Sequence, residues 1–105
     1  MLQATLRDVT AQRRSVFELF ARRLSGGRRY GVVSGVGRLL DALETFQFGE
    51  PALAWLRETD VVDEDTIAWL ADYSFSGSIW GYPEGEIYFP YSPVLIVEGT
   101  FAECV

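Results

Sequence analysis

Leu2, Leu6 and Val9 recur at helical spacing, with the polar Gln3, Arg7 and Asp8 between them. This predicts a short amphipathic helix over residues 2 to 11. No capping residue precedes it, so the helix is expected to begin upstream of Met1. Residues 15–24, SVFELFARRL, are apolar on both faces at first, and Val16, Phe17 and Phe20 favour a strand. The Ser25-Gly26-Gly27 turn, followed by Tyr30-Gly31-Val32-Val33, predicts that this strand returns as a hairpin with Arg22, Arg23, Arg28 and Arg29 flanking its loop.

The pattern then turns helical. Val36, Leu39, Leu40 and Leu43 mark one apolar stripe, with Asp41 and Glu44 opposite. Gly49 breaks the chain, and Pro51 suits the first position of a new helix because its missing N–H is unbonded there anyway. That helix turns Leu53 and either Trp55 or Leu56 inward. A further helix is expected after Asp63, which is placed to cap it through Thr66, with Val62 and Ile67 as a hydrophobic staple and Ile67, Leu70 and Ala71 as its buried face.

The stretch Phe75–Gly99, FSGSIWGYPEGEIYFPYSPVLIVEG, reads as an antiparallel β-meander against which the helices find their core. Ser78–Tyr82 is one strand, Pro83-Glu84-Gly85 a turn, and Glu86–Phe89 the return. Pro90 and Pro93 bracket a second connection before Val94–Glu98. Thr100 and Glu103 have the spacing of a capping box and announce another helix, which is expected to continue beyond Val105. The fold class is therefore α+β, with short helices packed on antiparallel strands and a β-meander.

A chain of 105 residues with 49% hydrophobic side chains suits one small domain, or part of a larger one. No apolar run approaches the roughly 18 to 20 residues of a membrane span, and no signal peptide is evident. The single Cys104 cannot form an internal disulfide, which fits a reducing, cytoplasmic setting, and it reads as a small apolar residue rather than a reactive thiol.

The net charge of −6 conceals an asymmetry, because residues 1–30 hold seven Arg against Asp8 and Glu18, while the remainder holds thirteen acids against Arg38 and Arg57. The acidic total opposes binding to nucleic acid. The four arginines of the expected hairpin read as a solvated or interface rim, with an anion site as the alternative.

Other candidate chemistry is sparse. Gly35-x-Gly37 lies between a strand and a helix, but Leu40 stands where a dinucleotide fingerprint needs its third Gly, and a Walker loop needs a Lys that the chain lacks. A tight turn is preferred over a phosphate cradle. Asp60, Asp63, Glu64 and Asp65 read as helix caps rather than metal ligands, and Glu84 and Glu86 as turn and edge carboxylates rather than an acid–base pair. Trp80, Tyr82, Tyr88 and Tyr91 read as cross-strand packing partners, with ligand stacking as the alternative. There is no His, and no nucleophile stands beside a base.

FELFARR (17–23), GRRYGVVSGVGRLLDALETFQFG (27–49), WLADYSFSG (69–77) and IWGYPEGEIYFPYSPVLIVEGTFAE (79–103) together resemble the N-terminal region of nicotinate phosphoribosyltransferase over essentially the whole chain. The strongest part is the order of Gly77, Pro83, Glu84, Gly85, Phe89, Pro90, Pro93, Glu98 and Gly99. The resemblance implies an N-terminal α+β region, residues 1–105, that packs against an incomplete α/β barrel absent from this sequence. It implies an enzyme that joins nicotinate to phosphoribosyl pyrophosphate in NAD biosynthesis, a glycosyltransferase and ligase that uses ATP and Mg²⁺ through a phosphorylated histidine. The implied partners are the barrel domain and a second subunit that completes the site.

The family's opening Leu-Thr-Asp-x-Tyr-x-x-Thr segment, whose tyrosine stacks on nicotinate, would precede Met1. No family catalytic, cofactor-binding or metal-binding residue carries over to a position here, so the chain is expected to bind no cofactor itself and to be inactive alone. The rival reading is a stand-alone α+β binding module that uses the Arg-rich hairpin or the aromatic meander.

Overall fold

Two strands that meet at opposite ends of the sequence carry the architecture. In the computed structural model, which describes all of residues 1–105, β1 (Arg14–Leu19) lies antiparallel to β5 (Leu95–Thr100), with Phe17 opposite Val97 and Leu19 opposite Leu95. On the other side of β5 runs β3 (Ser78–Gly81), again antiparallel, with Ile79 opposite Val97. β5 is thus the central strand of a three-stranded sheet. Its run of Leu95, Ile96 and Val97, each buried or half-buried, suits a strand covered on both faces.

The α+β class with antiparallel strands holds, but two expected pairings do not form. β1 and β2 (Gly31–Val32) are not a hairpin, because β1 is taken by β5 and β2 pairs instead with β4 (Ile87–Tyr88) in a separate two-stranded ribbon. Nor does β4 return along β3 as the meander reading expects: within Phe75–Gly99, β3 pairs with β5, while β4 leaves for β2. A side chain at Gly31 would project into the ring of Tyr88, directly opposite in the ribbon. Glycine at that position lets the aromatic ring lie against the facing backbone. The ribbon's ladder continues as Val33 N–H donates to the Glu86 carbonyl at 2.8 Å and Gly85 N–H to the Val33 carbonyl at 2.9 Å.

Five helices complete the chain: α1 (Leu2–Arg7), α2 (Val36–Thr45), α3 (Glu50–Thr59), α4 (Glu64–Ala71) and α5 (Phe101–Cys104). α1 ends sooner than the expected residue 11, and Val9 follows it at a left-handed φ of 63°. The caps read from sequence are in place. Asp63 accepts from Thr66 N–H at the head of α4, and Thr100 and Glu103 exchange hydrogen bonds in a capping box at the head of α5. Pro51 lies in the first turn of α3.

Leu53 is buried and Leu56 half-buried, whereas Trp55 is 56% exposed, so the inward pair on α3 is Leu53 with Leu56. In α4 the buried residues are Thr66 and Ile67, with Leu70 half-buried; Ala71, expected to be buried, is exposed because it faces away at the end of the last turn.

The core is small. Ala11, Leu53, Ile67, Leu95, Ala102 and Val33 are its buried apolar members. α1, α4 and α5 gather at one body with the three-stranded sheet, and α3 packs on α4. By contrast, neither α2 nor the ribbon packs its backbone extensively against another element. They face the sheet across two open cavities of about 280 and 290 Å³, one lined by Leu19, Val33, Leu39 and Leu95, the other by Leu40, Leu43 and Ile79. The apolar stripe of α2 exists as read, yet none of its residues is buried.

The radius of gyration of 16.7 Å exceeds the roughly 13 Å of a compact chain of this length.

Candidate functional site

The first turn of α2 comes nearest to a ligand cradle. Gly35 adopts φ +97° as the residue that starts the helix, and its left-handed backbone turns the following N–H groups outward together. The Glu84 carboxylate fills that cradle. Both of its oxygens lie 3.0 Å from Gly35 N, and one lies 3.0 Å from Gly37 N. These backbone donors hold the Glu84 carboxyl below its ordinary pKa. The Gly-x-Gly turn is therefore a turn, as read, and its anion is the protein's own. The role of Glu84 was legible only as a turn carboxylate, because its partners lie 47 and 49 residues away.

Arg22, Arg23, Arg28 and Arg29 lie on the irregular connection between β1 and β2, all exposed. None joins the molecule's ion pairs, which are Arg7–Asp63, Arg14–Glu98 and Arg57–Glu50. The root of this connection is pinned: Tyr91 N–H donates to the Ala21 carbonyl at 2.8 Å, and the Phe20 and Tyr91 rings pack 5.9 Å apart. Tyr91 holds this position at φ 67°, an uncommon conformation for a residue with a side chain.

Of the four aromatics singled out from the sequence, Tyr91 packs on Phe20 and Tyr88 lies against Gly31, while Trp80 stands opposite Ile96 with 53% of its surface exposed. Tyr82 lies just past β3, its N–H donating to the Val94 carbonyl and its side chain exposed. They do not converge on one surface. The aromatic cluster that does form went unread: Phe46, Phe48 and Trp69 surround Tyr73, with ring centroids 5.4 to 6.0 Å from it. Tyr73 donates its hydroxyl to the Glu103 carbonyl at 3.1 Å. Burial and the neighbouring Glu103 raise the Tyr73 pKa.

The acids behave as structural acceptors. Asp63 takes hydrogen bonds from Thr66 and Arg7, Asp60 ends α3 at a left-handed φ of 52°, and Glu64 and Asp65 lie in the first turn of α4. Burial opposes the charge on Glu103, but hydrogen bonds from Ser76 and Thr100 outweigh it and lower the pKa. No three of the Cys, Asp and Glu side chains gather as metal ligands. Burial, then the adjacent Glu103, pushes the Cys104 thiol above its usual pKa, the opposite of what a nucleophilic cysteine needs.

The geometry is that of a scaffold with a basic, exposed connection. The family model for the nicotinate phosphoribosyltransferase N-terminal domain matches residues 1–105. The chain belongs to this family. It is 55% identical, over its whole length, to nicotinate phosphoribosyltransferase pncB1 of Mycobacterium tuberculosis, of which it covers 23%. It is 34% identical to the nicotinate phosphoribosyltransferase of Bacillus subtilis, with 98% of this chain and 21% of that one aligned. Among solved structures, human nicotinic acid phosphoribosyltransferase superposes with a TM-score of 0.84 at 24% identity, over 97% of this chain and 21% of that one. The α+β arrangement is thus that of a nicotinate phosphoribosyltransferase N-terminal domain, and the chain spans under a quarter of the curated relatives' length.

Proposed function

We propose that this chain is the N-terminal scaffold of a nicotinate phosphoribosyltransferase acting in NAD biosynthesis. The complete enzyme would join nicotinate to phosphoribosyl pyrophosphate with ATP, giving nicotinate mononucleotide. The observation that carries the reading is the 55% identity to the mycobacterial enzyme across all 105 residues.

The domain's own part is to form a wall of the active site and of a subunit interface, in a cytoplasmic homodimer. Three of its carboxylates, on Asp63, Glu84 and Glu103, are engaged in hydrogen bonds within the domain. In this reading ATP and Mg²⁺ belong to the complete enzyme. Phosphoryl and ribosyl transfer need charge positioned on the reacting groups, and here Arg22, Arg23, Arg28 and Arg29 sit unpaired on an open loop.

The test is to incubate the isolated chain with nicotinate, phosphoribosyl pyrophosphate, ATP and Mg²⁺. No nicotinate mononucleotide is expected, and sustained turnover would overturn the scaffold reading. No helix is long and apolar enough to cross a membrane.

A further inference from the structure

α2 is the longest element of the chain without a buried residue. Val36 and Leu43 are half-buried, and Leu39 and Leu40 on the same stripe are each 40% exposed. α3 and α4, by contrast, are each seated by a buried side chain, Leu53 and Ile67.

What fixes α2 lies at its two ends. At the head, the Glu84 carboxylate accepts from Gly35 N–H and Gly37 N–H, and these are the hydrogen bonds that tie the helix to another element. At the foot, Phe46 follows directly after Thr45, and its ring meets Phe48 at 5.2 Å and Tyr73 at 6.0 Å. Tyr73 is itself fastened to the body, through the hydroxyl that it donates to the Glu103 carbonyl. Between the two anchors, Arg38, Asp41 and Glu44 join none of the ion pairs. The apolar stripe there looks into open space: Val36 and Leu39 line the cavity walled by Leu19, Val94 and Leu95, and Leu40 and Leu43 line the one walled by Phe75 and Ile79.

We infer that α2 is a strap, tied at the Glu84 head and the Phe46 foot, that lets go as one unit while the three-stranded sheet stays folded. An isolated helix in water needs roughly 12–15 residues to hold together, and α2 has ten. Losing either anchor therefore loosens the helix along its whole length instead of fraying one end. Few apolar side chains have to leave cover when it opens, which places the strap at the low-stability end of the domain. Its release joins the two cavities into one apolar trough lined by Leu19, Leu95 and Ile79. The motion belongs to the domain and is independent of the reaction that the complete enzyme runs.

The test is native-state hydrogen exchange on this chain grafted in place of the matching 105 residues of the M. tuberculosis pncB1 enzyme, read residue by residue by mass spectrometry. Amides from Leu39 to Thr45 are expected to exchange at least tenfold faster than those of β5, at a rate that low urea leaves unchanged while the β5 rate climbs. Glu84→Gln and Phe46→Ala should each speed exchange by about tenfold along the whole of α2.

An α2 rate as slow as that of β5, or one that rises with urea in step with it, means that the helix leaves only with the whole domain and overturns the inference. Effects confined to the altered end also overturn it, with Glu84→Gln speeding only Leu39 and Leu40 and Phe46→Ala only Glu44 and Thr45. That pattern is two separate frays and not a strap.

Discussion

The phenol ring of Tyr88 occupies the space into which any side chain at Gly31 would project. The two residues are register partners in the ribbon, so the clash has no easy relief. Gly31→Ala is expected to destabilise the domain by about 1–3 kcal/mol, the usual cost of overpacking. Adding Tyr88→Ala removes the obstruction, so the double variant should lose less than the sum of the single variants. Urea unfolding of the four proteins measures the coupling, and strict additivity would refute this account of the glycine.

Acid should weaken the domain through Glu84. Its folded pKa lies below the ordinary 4.5 because Gly37 and Gly35 donate to the carboxylate. The stability it confers is therefore complete above the unfolded pKa and lost as pH falls through the folded one. Asp8, Asp63 and Glu103 are shifted in the same sense. Melting temperature is expected to fall on acidification below about pH 4.5. Glu84→Gln should melt lower at neutral pH and show a shallower acid limb, and an unchanged limb would contradict the assignment.

The helical body separates inward from outward positions sharply. Ile67→Ala should cost about 2–5 kcal/mol as a large-to-small change in a close-packed site. Trp55→Ala, on the neighbouring helix but directed outward, should stay within about 0.5 kcal/mol in the isolated chain. Chemical denaturation of the two variants checks the orientation of α3. A large loss at Trp55 would mean that its ring packs in the free domain.

Cys104 should be slow to alkylate. Burial and Glu103 both oppose the thiolate, so at neutral pH iodoacetamide should react more slowly than with an unstructured thiol, and the rate should climb with pH beyond the usual thiol range. Faster labelling than free cysteine would reverse the reading of this residue as a packing group.

Local grammar was legible in the sequence wherever a feature and its partner lie within one turn. Asp63 with Thr66 and Thr100 with Glu103 are three residues apart, and both caps form as read. Strand identity was legible from composition, but strand pairing was not. The Gly26-Gly27 turn after β1 invited a hairpin, and nothing in residues 14–19 announces that β5 offers a long apolar mate. Glu84 reads as a turn residue by spacing alone, since its hydrogen-bond donors come from a glycine turn on a different element. The exposure of the α2 stripe was likewise invisible, because an amphipathic pattern states which face seeks cover without stating whether the same chain supplies it. Family membership was legible because the Pro, Gly and Glu of the 77–99 stretch stand in a characteristic order.

The pairing of β1 with β5 has a consequence for synthesis. Phe17 must wait for Val97, so about 80 residues are translated before the N-terminal strand meets its mate. At ordinary elongation rates that is on the order of 4–16 s. Until then the Val16-Phe17-Glu18-Leu19-Phe20 segment has no sheet to join, and β3 is made before the strand that will bridge them. The four arginines that follow β1 would then serve during birth as well as after it, since a cluster of like charge beside an apolar strand discourages neighbouring nascent chains from pairing with it.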